Sequence, residues 1–230
     1  MSEQLILDLY LPQPPSFEGF VPGENAELLF MLGEWAAGAS DIRFLYLWGG
    51  NGVGKSYLLA AAAQRWPGVI SIDAASQSLP DFLAADAALI VDNVDQLDPE
   101  QQIRLFDHYN TLREGSGRLL ATGPVPPMQL DLRDDLTTRL GWGLVYQLKA
   151  LSDSDKIAAL RTQARESGFE LSTEAADYLL RHSRRDLASL RSVLEQANRY
   201  ALSLKRPVTV PLIREVLSGE RRQGGIFPAP

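Results

Sequence analysis

The chain has 230 residues, 45% of them hydrophobic, no cysteine and a net charge of −7, which allows one medium domain or two small ones and excludes a disulfide framework or thiolate metal site. Residues 1–150 carry 9 Lys/Arg against 19 Asp/Glu, while residues 151–230 carry 13 against 10. A protein that mainly grips duplex phosphates is usually basic, so any DNA contact is expected to be weak, confined to the C-terminal part, or made through a partner.

The first segment, residues 1–16, is expected to be extended. "QLILDL" at 4–9 is apolar, and Pro12, Pro14 and Pro15 block a helix after it. Glu3 and Asp8, with no Lys or Arg nearby, make it a poor secretion signal. It is either an edge strand packed on the chain's own surface or a peptide that docks in another protein's pocket. No apolar run approaches the ~18 residues of a membrane span. No membrane contact is therefore expected, and the lack of cysteine fits a cytoplasmic address.

From residue 17 to 150, strand and helix signals alternate. Strands are expected at 44–48, 68–73, 88–94, 118–123 and 143–148, with a helix through "KSYLLAAAAQRW" and another carrying Ile103, Phe106 and Tyr109. Such alternation predicts a parallel sheet covered by helices. The acidic stretch 131–135 is expected to be a solvated loop, and His108 and His182 to lie on the surface without ligand spacing.

Beyond Lys149 the pattern turns helical. Ser152 and Asp155 form a capping box ahead of Ile157, Leu160 and Ala164; Ser172 caps a second helix; Leu187, Leu190, Leu194, Ala197 and Ala201 line a third; and "VTVPLIREVLSG" gives a short fourth. Residues 219–230 are expected to be a flexible tail.

The chemistry is concentrated in "GGNGVGKS". Gly49, Gly50, Asn51, Gly52, Val53, Gly54, Lys55 and Ser56 fit G-x-x-x-x-G-K-[ST]. Glycines let backbone N–H groups converge on phosphate oxygens, Lys55 reaches the β and γ phosphates, and Ser56 offers its hydroxyl to Mg²⁺. An apolar strand stops just before the motif and a helix starts within it, which is the context the pattern requires. The second half of the site is Asp92, at the end of "ALIVD", whose carboxylate can hold the magnesium hydration shell. Position 93 is Asn, and an amide orients water but takes no proton from it. Asp95 is the nearest substitute, so hydrolysis by the isolated chain is expected to be slow.

Taken in order, the Gly-rich loop, the Asp-ending strand, "LLATG", "TTRLGWGLVYQL" and the helical "RRDLASLRSVL" resemble the AAA+ ATPases, and more closely the branch of the replication initiator DnaA and its shorter Hda relatives. The resemblance covers residues 4–218. It implies an α/β P-loop domain with a five-stranded parallel sheet plus a small all-α lid. The divisions expected are 1–16 as a clamp-binding segment, 17–150 as the nucleotide-binding domain, 151–218 as the lid and 219–230 as the tail.

By that resemblance, Phe20, Val21 and Asn25 line the adenine side; Thr122 is a sensor near the γ phosphate; Arg139 is an arginine finger acting on a partner's nucleotide; and Arg185, or Arg184 beside it, is the lid's sensor. Trp142 is expected to pack near the finger. Gln4, Leu5, Leu7 and Leu9 resemble the hexapeptide that docks on the DNA polymerase III sliding clamp (β). The cofactors implied are ADP or ATP with Mg²⁺. The partners implied are DnaA, the clamp, DNA indirectly through the clamp, and a second copy of the chain. The activity implied is stimulation of hydrolysis of DnaA-bound ATP, preventing re-initiation, at a cytoplasmic, nucleoid-associated location. Two alternatives stay open: an autonomous AAA+ ATPase such as a helicase loader, and a DNA-bound adaptor without clamp contact.

Overall fold

A computed structural model describes residues 14–38 and 41–223, with the side chains of 219–223 left aside. The docking peptide Gln4, Leu5, Leu7 and Leu9 lies outside the described residues.

Five strands form one sheet: β1 (Phe44–Trp48), β2 (Ile70–Asp73), β3 (Ala88–Asp92), β4 (Arg118–Gly123) and β5 (Leu144–Gln147), in the order β2-β3-β4-β1-β5. Every pairing is parallel, so each connection must cross over, and helices supply the crossovers except between β2 and β3, where residues 74–87 form no helix. Side chains alternate across the sheet. Tyr46, Leu89, Val91, Leu119 and Ala121 pack on one face against Leu105, Tyr109 and Leu112 of α3 (Pro99–Glu114) and Leu136 and Leu140 of α4 (Asp134–Gly141). Leu45, Leu47, Ile90 and Leu120 pack on the other against Leu28, Leu32 and Trp35 of α1 (Ala26–Ala37) and Leu58, Leu59 and Ala62 of α2 (Lys55–Arg65). Strands β3 and β4 are buried at every residue, as the centre of a parallel sheet requires, whereas β5 is an edge strand that leaves Leu144 and Val145 partly exposed.

Two arginines, the buried Arg118 and the half-buried Arg43, satisfy helix ends. The Arg118 guanidinium donates to the carbonyls of Trp35 (3.1 Å) and Gly38 (3.0 Å), just where α1 stops. Arg43 donates to Gly117 and Gly115 (2.8 Å each) and to Leu112 at the end of α3. Orphan carbonyls at a buried helix terminus need such donors.

The helical unit comprises α5 (Asp153–Glu166), α6 (Thr173–His182), α7 (Leu187–Leu204) and α8 (Val210–Gln223) around a core of its own. The Ser152/Asp155 capping box and the Ser172 cap are both formed. The predicted tail is corrected in part. Helix α8 runs on to Gln223, and residues 224–230 lie outside the described residues.

Three local expectations differ from what forms. The third strand stops at Asp92 because Asn93 adopts a left-handed backbone (φ 55°) and leads into a short 3-10 turn at Val94–Gln96. Helix α3 turns Gln102, Leu105, His108, Tyr109 and Leu112 inward, so Ile103 is 45% exposed and His108 is buried, its Nε2 2.8 Å from the carbonyl oxygen of Pro80. Asp134 and Asp135 begin α4 instead of lying in a loop, where their charge faces the positive helix end. Among the described residues, no helix is long and apolar enough to cross a membrane.

The inward face of α3 gives a direct test. Leu105→Ala is expected to cost about 2–5 kcal/mol, and Ile103→Ala no more than about 0.5 kcal/mol, in urea unfolding followed by circular dichroism.

Candidate functional site

The ends of β1, β3 and β4 come together beneath the loop at 49–54. Gly52 (φ 75°) and Gly54 (φ 108°) hold left-handed backbone that glycine adopts freely. Space also demands them. A Cβ at Gly54 would lie 2.8 Å from the Phe20 ring, and one at Gly52 would lie 3.0 Å from Cβ of Asp186 in the lid. The loop is thus pressed between the segment before α1 and the start of α7.

Lys55 opens α2 and is buried. Its Nζ donates to the carbonyls of Gly49 (2.8 Å) and Gly50 (3.2 Å). Burial pushes its pKa below the ordinary lysine range, opposed by the charges of Asp92 and Asp95. Beside it, the buried Thr122 hydroxyl donates to Asp92 Oδ1, and the same carboxylate oxygen accepts from Asn93 N at 3.1 Å. Asn93 N also donates to Thr122 Oγ1 at 3.2 Å. These contacts fix Asp92 at the strand tip through one oxygen. Ser56 is exposed. Ser56 and the second oxygen of Asp92 therefore suit a magnesium ion and its water shell, and the glycine cradle suits a phosphate chain.

The Asn93 side chain donates to Asp73 Oδ1 at 2.9 Å, at the end of the neighbouring strand β2. Asp95 is half-buried and its charge bears on both Lys55 and Tyr46. Asp95 was the substitute carboxylate that the sequence offered; Asp73 is a carboxylate at this site that the chain order did not single out. Only the parallel pairing of β2 with β3 brings Asp73 beside Asp92.

A cleft of about 800 Å³ opens between the loop and the lid, within the usual size of small-ligand sites. Phe20, Val21, Tyr57 and Leu151 supply apolar wall; Asn51–Gly54 form the floor; and Arg184, Arg185 and Arg191 come from the lid. Arg185 pairs with Asp153 at 2.7 Å and Arg184 lies 3.6 Å from Asp186, both at exposed positions. The sensor expectation for either arginine thus meets two side chains that line the cleft but rest on lid carboxylates. Arg191 had no part in the sequence reading. It enters the cleft wall one helical turn beyond Leu187, and its buried Nε has no acceptor. Its spacing from Asp186, the N-cap of α7, was the available signal.

Asn25 is corrected. It is buried outside the cleft, its amide donating to the carbonyls of Pro22 and Lys149 (3.0 Å each) and its oxygen accepting from Lys149 N at 2.8 Å. It braces the junction between sheet and lid. Arg139 stands apart from the cleft at the end of α4, with its guanidinium 4.0 Å from the Trp142 ring centre. Trp142 therefore packs on the finger candidate as expected. Neither histidine belongs to a metal-binding group, and no such group of three occurs among the described residues.

Because a bound phosphate favours charged Lys55, ADP binding is expected to take up a proton where the free lysine is deprotonating. Affinity then falls as pH rises from the free-protein pKa to the higher bound-state value, a decline that begins below the ordinary lysine range. Calorimetry between neutral and alkaline pH reads this, and Lys55→Ala is expected to weaken binding roughly 10- to 100-fold and flatten the profile.

Comparison with known proteins follows the same division. The family model described as the Hda lid domain matches residues 153–217. The fold of nearly the whole chain is shared with domain III of the replication initiation protein DnaA from Thermotoga maritima (21% identity, 89% of this chain and 95% of that one, TM-score 0.71). It is shared equally with AMPPCP-bound DnaA from Aquifex aeolicus (22% identity, 94% and 72%, TM-score 0.71). A mutant of RuvB from Thermotoga maritima is nearly as similar in shape at 14% identity (91% and 74%, TM-score 0.69), so shape alone does not separate these branches and the lid carries the distinction. The chain thus carries a lid that matches the Hda lid domain at residues 153–217, following a five-stranded parallel sheet, and shares the fold of DnaA domain III.

Proposed function

We propose that the chain regulates initiation of DNA replication by promoting hydrolysis of ATP bound to a DnaA-type initiator, while its own cleft holds ADP or ATP as a structural element. The observation that carries this reading is the separation of two halves of a hydrolytic site. The phosphate loop, Lys55, Asp92 and Thr122 lie at one end of the sheet, and Arg139 lies away from them on α4 with no carboxylate partner among the described residues. An arginine so placed serves a neighbour's phosphates better than its own chain's.

In this chain the residues divide the work as follows. The loop amides and Lys55 hold the phosphates; Ser56 and Asp92 hold the magnesium shell; Thr122 fixes Asp92; and Phe20 and Val21 cover the base. Magnesium, when bound, neutralises phosphate charge. Asn93 is engaged with Asp73, and it has no basic oxygen to take a proton from water, so intrinsic turnover is slow. Arg184, Arg185 and Arg191 close the lid side and make the lid's position answer to the nucleotide.

The N-terminal peptide, Gln4, Leu5, Leu7 and Leu9, supplies the location. Docked on the sliding clamp, it brings an acidic chain to DNA without demanding a basic surface. A cytoplasmic, nucleoid-associated protein with DnaA, the clamp and a second copy as its protein partners accords with this arrangement.

One observation favours a second reading, an autonomous ATPase: Asp95 bears electrostatically on Lys55 and can act as a base. The two separate cleanly. In single-turnover assays with ATP-bound DnaA and DNA-loaded clamp, the wild-type chain is expected to accelerate hydrolysis. Arg139→Ala is expected to reduce that acceleration on the order of 10³-fold or to background, with clamp binding intact. Deleting residues 1–10 is expected to abolish co-migration with the clamp. Rapid turnover by the isolated chain, lost in Asp95→Asn, would instead establish the autonomous enzyme.

A further inference from the structure

The surface around Arg139 holds more cation than one finger needs. Arg139 Cζ lies 4.0 Å from the Trp142 ring centre, and Arg113 Cζ lies 4.6 Å from the same ring. Arg139 also sits 5.4 Å from the Phe106 ring and 5.9 Å from Tyr109. Its Nη1 is buried without an acceptor. Trp142 is 53% exposed, and Arg113 is exposed.

Neither arginine has a carboxylate partner among the described residues, although others elsewhere in the chain do: Arg65 pairs with Glu18, Arg104 with Asp81 and Glu100, and Arg133 with Asp135. Arg43, the third cation near Tyr109, is occupied by main-chain carbonyls. Two like charges sharing one indole repel each other, in a chain whose net charge is −7. Stacking steadies each guanidinium plane and leaves its N–H groups, other than the buried Nη1 of Arg139, free to bond. Two guanidiniums so gathered suit a compact anion of more than one charge.

We propose that Arg113 and Arg139, gathered on Trp142, form a single site for the terminal phosphates of a nucleoside triphosphate carried by a neighbouring protein, with Trp142 as the positioning residue. This rests on the function proposed above and adds Arg113 to it. The β and γ phosphates concentrate several charges in one unit, which matches two guanidiniums on a common ring. Nucleic-acid backbone offers one charge per phosphate, spaced apart, and matches them poorly. Planar guanidinium forks bind phosphate in bidentate fashion.

The test uses the full chain saturated with ADP, so that its own cleft is filled. Inorganic tripolyphosphate is titrated, and the Trp142 signal is taken as the fluorescence difference between wild type and Trp142→Phe. Saturable quenching is expected, weakened about tenfold or more by Arg113→Ala and less by Arg113→Lys. In single-turnover hydrolysis of DnaA-bound ATP, Arg113→Ala and Trp142→Ala are expected to lower the maximal stimulated rate about tenfold with little change in the half-saturating concentration, and Trp142→Phe is expected to restore most of it. Absence of quenching, equal binding by Arg113→Ala, or tighter Arg113-dependent quenching by a single-stranded oligonucleotide overturns the site. If wild type binds tripolyphosphate in an Arg113-dependent way yet stimulates no hydrolysis, the anion site stands and the regulatory reading fails.

Discussion

A buried ammonium must be met by oxygen, and in this protein that need shapes the centre of the molecule. Lys55 is held by the carbonyls of Gly49 and Gly50, which folds the loop back over the start of α2. The fold-back works only because Gly52 and Gly54 take left-handed backbone and present no Cβ to Asp186 and Phe20. The same few residues therefore fix the phosphate cradle, the approach of the segment before α1 and the approach of the lid. The cradle is therefore assembled by the chain's own contacts.

The sheet gives this centre its support. Strands β3 and β4 are buried throughout, and their tips bring Asp92 and Thr122 together at the carboxyl edge, the end of an open parallel sheet where ligands bind. Lys55 enters from the helix after β1, next to β4 in the sheet. No stretch of chain contains all three, and the crossover order alone makes them neighbours. Arg139 is placed by a different element, the short helix before the edge strand β5, which separates its reach from the site around Lys55.

Much of this was legible in the sequence because periodicity and local chemistry agreed. The apolar runs at 44–48 and 118–123 became strands with those bounds, and the caps at Ser152 and Ser172 formed as written. Errors arose where two faces competed or where pairing was remote. Helix α3 offers Ile103 and Leu105 as rival inward residues, and tertiary packing selected Leu105. His108 followed it into the interior because it lies three positions further on the same helix face. Asn25 is polar and sits in a segment associated with ligand binding, yet its partner is the backbone of Lys149, 124 positions away. Asp73 and Arg191 were invisible for the same reason: their importance comes from strand order and lid placement, not from any nearby motif. The segment at 4–9 lies outside the described residues, and its reading rests on its sequence.

The Asn25 clasp has a mechanical meaning. Three hydrogen bonds tie residues 22 and 149 through one buried amide, at the joint where the chain leaves the sheet for the helical unit. A joint fastened in this way behaves as a stiff elbow with a preferred angle. Torque applied at the far end of the lid would therefore be transmitted to the strands and to Phe20 instead of being lost in a slack tether.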